Sequence, residues 1–425
     1  MLSITDDKSK LYADFLRSTY LINTLKNLFM RSLPVYVCCV MFTIATSPVI
    51  AQSSLTLYGT LDAGFAYQNH SANNSGTYGS ASRFAQISGG QSGNRFGLKG
   101  IEKISDNTDL NFVLENGFNI GNGTMSQSGR IFGRQAWFGA SYKGLGNFRL
   151  GRQYDFANEY VSELTPFGPG DFASSSLGLS FGSANAERFS NMIRLETDRI
   201  EGFKAGIGYT FSSQIPSAYV IDGAYPLVPG DSRDYKFASQ DNLRVLSSGI
   251  QYQSGPLYAT ATYDSYYPNA ATAKGQVPNA SAWILGAAYD IGLFKVSGAY
   301  GQTRNAWLNP AQLIQTFAEP SNLGTTNDSI IFDQNIAVDS YLLGLTYSPN
   351  KVTNVFLSWQ MAKPSSGMLS NSYFPISTQT VYSFAYTYNF TPRTNIYAMG
   401  AYSTNYSLSQ GLTYSLIGFG LRHKF

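Results

Sequence analysis

The stretch Leu55–Tyr67, which reads LTLYGTLDAGFAY, decides the fold of this chain. Its large apolar side chains fall on alternate positions and share one face, while polar side chains such as Thr60 and Asp62 occupy the other face. Successive side chains of a β-strand point to opposite sides, so a period of two is typical of a strand and not of a helix. The stretch therefore predicts a β-strand with one apolar and one polar face.

The same alternation continues outward from this stretch to the end of the chain. A Ser/Asn/Gly-rich segment, Gln68–Ser82, is predicted to be a loop, and strands are predicted at Asn94–Glu102 and Thr108–Phe118. Further strand-like runs fall near residues 132–142, 146–154, 188–198, 202–212, 244–253, 257–266, 281–290, 293–303, 338–348, 352–362, 378–389, 394–403 and 413–425. Most of these runs have about 9–12 residues, which is long enough for a tilted strand to cross a bilayer.

The connections between the runs carry the strongest signal. Short connections such as Lys143–Leu145 and Arg199–Glu201 alternate with long ones such as Ser213–Leu243 and Arg304–Ala337. Outer-membrane barrels sort their loops in this way, with short turns on the periplasmic side, whereas a soluble β-sandwich has no reason to do so. The last run, Thr413–Phe425, can pair with the first strand and leave no open edge. The sequence predicts an all-β fold, a 16-stranded antiparallel transmembrane β-barrel over residues 52–425.

Composition and charge agree with this fold and exclude other classes of protein. Charged residues make up 13% of the chain and aromatic residues 15%, and the 41 Gly and 30 Tyr are typical of strands and turns. The net charge of +3, without any Lys/Arg tract, does not favour a nucleic-acid partner. The segment Gly178–Gly182 fits the G-x-S-x-G pattern of serine hydrolases, but only His70 and His423 could partner Ser180, and neither is placed for a triad. We expect no enzymatic activity and no cofactor.

The first 51 residues are expected to be a targeting region. Met30-Arg31-Ser32 precedes a short apolar run, Leu33–Ala45, and a small residue, Ala51, marks the predicted cleavage site. Residues 30–51 therefore predict a secretory signal peptide, the alternative being a retained transmembrane anchor. Residues 1–29 are either untranslated, with synthesis starting at Met30, or an extended signal. Both cysteines lie in the apolar run, so residues 52–425 can form no disulfide.

One long insert interrupts the pattern of strands. Residues 155–187 lie between the arginine-bearing runs Phe148–Tyr154 and Arg188–Glu196 and show no strand alternation. A structureless insert of this length is uncommon in a compact domain and usually has a function. We expect it to fold into the lumen of the barrel and narrow it.

Several segments resemble the trimeric general porins of Gram-negative outer membranes, particularly their β-proteobacterial branch. These segments are SSLTLYGTLDAGFAY, GNRFGLKGIEKI, LENGFNIGNGT, GRQAWFGASYKGLGNFRLGRQYD and the C-terminal GFGLRHKF. The resemblance implies a 16-stranded barrel, a homotrimer, and a third loop folded inward as a constriction. It also implies insertion by the outer-membrane assembly machinery, with Phe425 as part of the signal. Two places depart from the family pattern: Pro166–Gly170 lacks the glutamate of the usual Pro-Glu-Phe-Gly-Gly, and Ile101–Ser105 replaces the usual Ser-Glu-Asp-Leu-Gly turn.

Charged side chains at the narrowest point are expected to set what passes. By resemblance, Arg95, Arg152 and Arg188 match the wall arginines of the family, and Arg134 is a fourth candidate. Strict alternation would aim Arg152 at lipid, so we expect the strand to break at Gly151. The expected opposing and neighbouring groups are, in order, the loop acids Asp171, Glu163 and Glu159, and the lumen-wall residues Lys99 and Asp62.

The sequence therefore predicts an outer-membrane channel for passive diffusion of small hydrophilic solutes and ions. With up to four arginines against about three acids, a mild preference for anions is expected. Two alternatives stay open. The protein is a substrate-specific porin, for which Tyr58 is the kind of residue required, or it is a surface adhesin that uses its long outer loops.

Overall fold

The computed structural model describes residues 54–72, 81–167, 181, 188–213, 243–267, 279–308, 330–365, 376–408 and 410–425. The predicted targeting region, residues 1–51, lies outside the described residues. So do residues 168–180 and 182–187 of the predicted constriction loop, including Asp171 and Ser180.

Within the described residues, seventeen strands form one sheet in which all paired neighbours are antiparallel. They are β1 Ser54–Ala72, β2 Ala81–Ser88, β3 Arg95–Lys103, β4 Thr108–Gly117, β5 Gln135–Tyr142, β6 Gly146–Tyr154, β7 Arg188–Thr197, β8 Phe203–Ser213, β9 Leu243–Ser254, β10 Leu257–Tyr267, β11 Ala280–Ile291, β12 Phe294–Leu308, β13 Ile330–Tyr347, β14 Thr353–Pro364, β15 Gln379–Thr391, β16 Thr394–Thr404 and β17 Leu412–Lys424.

The sheet closes on itself at β1. One edge of β1 pairs with β17 over Thr60–Ala72, and its other edge pairs with β3 over Ser54–Thr60 and with β2 over Ala63–His70. Because β2 and β3 share one position beside β1, the seventeen segments fill sixteen positions of a closed barrel. The predicted 16-stranded antiparallel barrel is confirmed.

The prediction of a loop at Gln68–Ser82 is wrong at both of its ends. Strand β1 continues to Ala72, and β2 begins at Ala81, in spite of the Ser/Asn/Gly-rich composition. The ring centroids of Phe65 and Phe84 stack 5.8 Å apart across this pair of strands. Cross-strand pairing and aromatic contact outweigh the weak local strand propensity here. The predicted loop Arg304–Ala337 is likewise too long, because β12 runs to Leu308 and β13 begins at Ile330.

The two faces of the sheet differ in chemistry. One, the apolar face, carries large exposed side chains, such as Leu57 at 60%, Leu285 at 52% and Phe419 at 56% exposure. The other, the polar face, carries buried polar side chains and glycines, such as Gln68 and Thr260. An exposed apolar band around a closed sheet is the surface that a bilayer solvates, and each strand alternates between the two faces as the sequence indicates.

The insert after β6 begins as a helix, where the sequence indicates no convincing helix beyond a possible short turn. A short helix α1 spans Ser126–Gly129 earlier in the chain, and α2 spans Phe156–Val161 and continues as a 3-10 turn through Leu164. The Asp155 side chain caps α2 by accepting a hydrogen bond from the Asn158 amide at 2.7 Å. Within the described residues, no helix is long and apolar enough to span a bilayer.

Helix α2 lies on the polar face of β8–β11. A Cβ atom on Gly206 of β8 would stand 2.2 Å from the Phe156 ring, and one on Gly249 of β9 would stand 2.8 Å from the Tyr160 ring. The two glycines therefore leave the space that the aromatic side chains of α2 fill. The packing continues along the insert, since Leu164 is fully buried.

Candidate functional site: an arginine cluster and a clamped helix

Glu115 of β4 stands between two of the predicted arginines. The Nε atom of Arg134 donates to Glu115 Oε1 at 2.7 Å, and the Nε atom of Arg95 lies 4.0 Å from Oε2. The Tyr58 hydroxyl also donates to Oε2 at 3.0 Å. Tyr58 reaches across β3 because residue 97 between them is glycine, where a Cβ would stand 2.7 Å from the Tyr58 ring. Glu115 thus orients two guanidinium groups while it is only 4% exposed.

Tyr154 at the end of β6 connects a third arginine, Arg188, to Arg134. Its hydroxyl accepts a hydrogen bond from Arg134 at 3.0 Å and another from Arg188, the first residue of β7. The Arg188 guanidinium carbon also lies 4.3 Å from the centre of the Tyr154 ring, which is a cation–π contact. Arg95, Arg134 and Arg188, with Glu115 and Tyr154, are named here the arginine cluster. It contains three permanent positive charges and one carboxylate.

Arg152 is placed differently from the other three arginines. It is 8% exposed, its Nε donates to the Gly133 carbonyl at 2.7 Å, and one of its terminal nitrogens donates to the Arg188 carbonyl at 2.9 Å. The β6–β7 ladder shifts register between Gly151 and Gln153, where a break was expected, although β6 itself continues to Tyr154. Arg152 therefore contacts the backbone of the wall at a β-bulge, and the structure does not bring it to Glu115.

The two predicted lumen-wall residues have different surroundings. Lys99 is exposed, and its Nζ lies 5.7 Å from the centre of the Tyr58 ring. Asp62 is 0% exposed, because the Gly89–Asn94 segment between β2 and β3 folds over it. Its carboxylate accepts hydrogen bonds from the Gln91 and Ser92 amides and from the Tyr397 hydroxyl. Asp62 therefore contacts buried polar groups and not lumen water.

Glu159 on α2 belongs to an ion cluster that sequence reasoning missed. The guanidinium of Arg194, itself 0% exposed, binds the Glu159 carboxylate, lies 3.4 Å from Glu196 and sits 3.9 Å from the centre of the Phe156 ring. The Tyr160 hydroxyl donates to Glu196 at 2.7 Å. Burial and the Glu196 charge raise the pKa of Tyr160, so this donor keeps its proton. Arg194, Glu159, Glu196 and Tyr160 together are named here the helix clamp.

A parity argument could have found part of the helix clamp. In the run RFSNMIRLE, Arg194 and Glu196 lie in step with buried Met192 and opposite exposed Leu195. Alternate residues of a strand share one face. Two charged residues at the same alternate positions as a buried residue, and not at those of the exposed apolar residues, therefore indicate a charged pair on the polar face. Nothing in the sequence indicated that Glu159 would contact them, because that contact requires α2 to fold back onto β7.

Of the remaining predicted residues, the described ones, Glu163 and Phe425, belong to neither cluster. Glu163 is exposed at the end of the insert's helical part, and Asp171 lies outside the described residues. Phe425 follows β17 and pairs with Gly59 of β1 through two backbone hydrogen bonds of 3.1 Å. Among the described residues, no group of three or more His, Cys, Asp or Glu side chains could hold a metal ion.

Comparisons with known proteins agree with this architecture. A family model described as Gram-negative porin matches residues 38–407. An outer membrane porin protein of Bordetella pertussis is 33% identical over 384 residues, which cover 88% of this chain and 95% of the relative. Outer membrane porin protein 32 of Delftia acidovorans is 28% identical over 272 residues, covering 61% of this chain and 67% of the relative.

Solved structures show the same fold at lower sequence identity. An anion-selective porin from Comamonas acidovorans superposes with a TM-score of 0.63 at 21% identity, covering 88% of this chain and 100% of that one. OmpF of Salmonella typhi, in complex with daunomycin, superposes with a TM-score of 0.56 at 16% identity, covering 87% of this chain and 97% of that one. The chain belongs to the Gram-negative porin family, a family of outer-membrane channels and not of enzymes.

Proposed function

We propose that this porin is a passive channel with a mild preference for small anions, and that the arginine cluster sets this preference. The observation that carries the proposal is the charge of the cluster. Two guanidinium groups lie at the Glu115 carboxylate and a third, that of Arg188, is joined to them through Tyr154, so the cluster keeps a net positive charge at any physiological pH. Charged side chains at a constriction select ions by their field across the water-filled path.

The position of α2 supports a constriction formed by residues 155–187. Helix α2 packs on the polar face of the closed sheet, opposite the exposed side chains of the apolar face. Within a barrel whose apolar face meets lipid, the polar face surrounds the lumen. We infer that the insert narrows the lumen from the side of β8–β11, with Glu159 and Glu163 facing the passage. Asp171, the third acid predicted for this site, lies outside the described residues.

We also propose that this chain is secreted, inserted into the outer membrane and assembled as the resemblance to general porins implies. We infer that residues 30–51 direct secretion and are removed after Ala51. The barrel at residues 52–425 is inserted by the outer-membrane assembly machinery, with Phe425 as part of the recognised end, and forms a homotrimer in the outer membrane. The contact of Phe425 with Gly59 supports a role for the terminal residue in closing the barrel.

Planar-bilayer recording of the purified, folded protein tests the proposal. Large ohmic conductance steps are expected, and in a gradient of KCl the zero-current potential should have the sign of chloride preference. Conductance steps with a clear potassium preference would overturn the role of the arginine cluster in ion selectivity, but they would still support the channel function. The absence of steps from a properly folded barrel would overturn the channel itself.

A further inference from the structure

A polar cavity of about 350 Å³ lies under α2, away from the arginine cluster residues. It is bounded by the short turn between β7 and β8, by the turn between β9 and β10, and by the adjoining ends of β11 and β12. Its charged lining includes Glu163, Asp290, Lys295, Arg199 and Lys204. A cavity of this size is within the range that small-molecule sites occupy.

Two of the acidic groups at the cavity are already neutralised. Glu159 and Glu196 both contact Arg194 in the helix clamp, and Lys204 donates to Glu196 at 2.8 Å. Glu196 also accepts the hydrogen bond of Tyr160. These carboxylates hold the helix to the wall, so they are not the groups that a solute would use.

The carboxylates of the other two acidic residues at the cavity remain available to bind a solute. Glu163 and Asp290 are exposed, and the described residues give neither side-chain carboxylate a hydrogen-bond or ion-pair partner. Asp290 stands directly opposite Lys295 in the β11–β12 ladder, and the Lys295 ammonium donates only a weak bond, 3.4 Å long, to the Glu163 backbone carbonyl. Two carboxylates and an ammonium group therefore adjoin each other at one end of the cavity.

The basic side chains at the cavity also have N–H donors available for a solute. Arg199 donates to Gln251 at 2.6 Å and to the Gly202 carbonyl at 2.8 Å. An arginine side chain has five N–H donors, so these two bonds do not use all of them. Lys204 and Lys295 each use one of three donors among the described contacts. Charged donors and charged acceptors thus remain available in the lining of one small cavity.

We propose that this cavity binds a small zwitterion, of the chemical class of the free α-amino acids, on its way through the channel. The ammonium group of the solute lies between Glu163 and Asp290, and its carboxylate accepts from Lys295 and Arg199. A simple anion would meet the repulsion of two carboxylates there, and a simple cation that of the neighbouring basic groups, so only a solute with both charges matches the lining. This inference rests on the proposed channel function, which brings solutes to the cavity.

Isothermal titration of the purified full-length protein with L-serine tests the inference, with ethanolamine and 3-hydroxypropionate as the probes that lack one charge each. We expect saturable binding of L-serine and affinities at least about tenfold lower for both other probes, since each lacks one of the two charged groups and the charge-assisted contacts that group makes. The double variant Glu163→Gln/Lys295→Met should weaken L-serine binding by about tenfold or more. The matched control Glu102→Gln/Lys351→Met changes two exposed residues outside the cavity, one near the end of β3 and one in the turn before β14, and should stay within about twofold.

The outcomes separate the two proposals. No saturable L-serine binding, equal binding of 3-hydroxypropionate, or equal weakening in the control variant would each overturn the zwitterion site. Conductance steps recorded from the same preparation report the channel independently. A conducting protein without L-serine binding therefore contradicts the site alone, whereas a folded protein without conductance contradicts the channel.

Discussion

Glu115 is the residue on which the charge balance of the arginine cluster depends. It contacts Arg95, Arg134 and the Tyr58 hydroxyl, and it is buried beneath them. Its carboxylate cancels part of the positive field while it holds the guanidinium groups in place. Removing its charge should therefore strengthen the preference for anions and loosen the orientation of the arginines.

The variant Glu115→Gln should raise the chloride-to-potassium permeability ratio by about two- to fivefold, since one unit of opposing charge close to the path is lost. The zero-current potential in a KCl gradient measures this ratio. Glu102→Gln, an exposed residue near the β3–β4 turn, is the matched control and should leave the ratio unchanged. A shift of Glu115→Gln towards potassium would contradict the assignment.

Individual residues show how far sequence reasoning reaches. Arg95, Arg134 and Arg188 could be proposed from alternation and resemblance, and the structure brings these three together. Tyr154 and Glu115 could not be chosen in advance, because their role depends on which strands lie side by side. Asp62 lies on the polar face as alternation predicts, but its burial under Gly89–Asn94 depends on how a non-repetitive segment folds.

At the scale of elements, the helix clamp fixes α2 to the barrel wall. Arg194 is fully buried and contacts two carboxylates and an aromatic ring. Removal of one partner from a buried ion network leaves the other charges uncompensated, which costs more than the loss of a surface pair. The position of α2 and the stability of the fold should both depend on this one arginine.

Arg194→Met should lower the free energy of unfolding by about 3–5 kcal/mol, because Glu159 and Glu196 lose their buried counter-charge. Equilibrium unfolding of the detergent-solubilised protein by guanidinium chloride measures this loss. Arg393→Met, at an exposed turn, is the control and should change the free energy by less than about 1 kcal/mol. A similarly small loss in Arg194→Met would show that the clamp does not stabilise the helix.

Strands and helices differed in how well the sequence predicted them. The strand β6 was predicted with its observed bounds, since a period of two over a lipid-facing band is a strong signal. Helix α2 was missed because six residues carry too little periodicity to separate a helix from a loop, and its stability comes from Asp155 capping and from contacts with β8 and β9. Strand β2 was missed because its pairing with β1 outweighs a loop-like composition.

At the scale of the whole molecule, a buried polar network fastens the first strand to the last two. The Tyr397 hydroxyl of β16 donates to Asp62 of β1 at 2.7 Å, and Arg422 of β17 donates to the Ser92 hydroxyl at 2.8 Å. The Ser92 amide in turn donates to the Asp62 carboxylate. Since closure of the barrel joins β1 to β17, this network stabilises the seam with side-chain contacts in addition to the backbone ladder.

Tyr397→Phe should lower the free energy of unfolding by about 1–3 kcal/mol, because the buried Asp62 carboxylate loses a hydrogen-bond donor. Thermal or denaturant unfolding of the folded barrel detects the change. Tyr388→Phe removes the same hydroxyl from an exposed tyrosine and should have almost no effect. Equal losses in the two variants would mean that the network does not stabilise the seam.

The barrel as a whole was predictable because the closure of the sheet follows from the repeating pattern of strands and loops in the sequence. Alternation, loop sorting and a last strand that can pair with the first together favour a closed antiparallel sheet without edges, which the pairing of β1 with β17 bears out. The contacts of α2 with the polar face of the sheet were not predictable in the same way, since they join residues far apart in sequence through a segment that is not repetitive. The partners of the arginine cluster and of the helix clamp therefore had to be located from the structure.

The most direct measurement is the zero-current potential of the triple variant Arg95→Ser/Arg134→Ser/Arg188→Ser in a KCl gradient, beside the unchanged protein and a control with Lys103, Lys143 and Lys351 changed to Ser. If the arginine cluster sets selectivity, the unchanged protein and the control show chloride preference and the triple variant loses it or prefers potassium. Conductance steps with the same potential in all three proteins would contradict the account, because the ion preference would then arise elsewhere in the barrel.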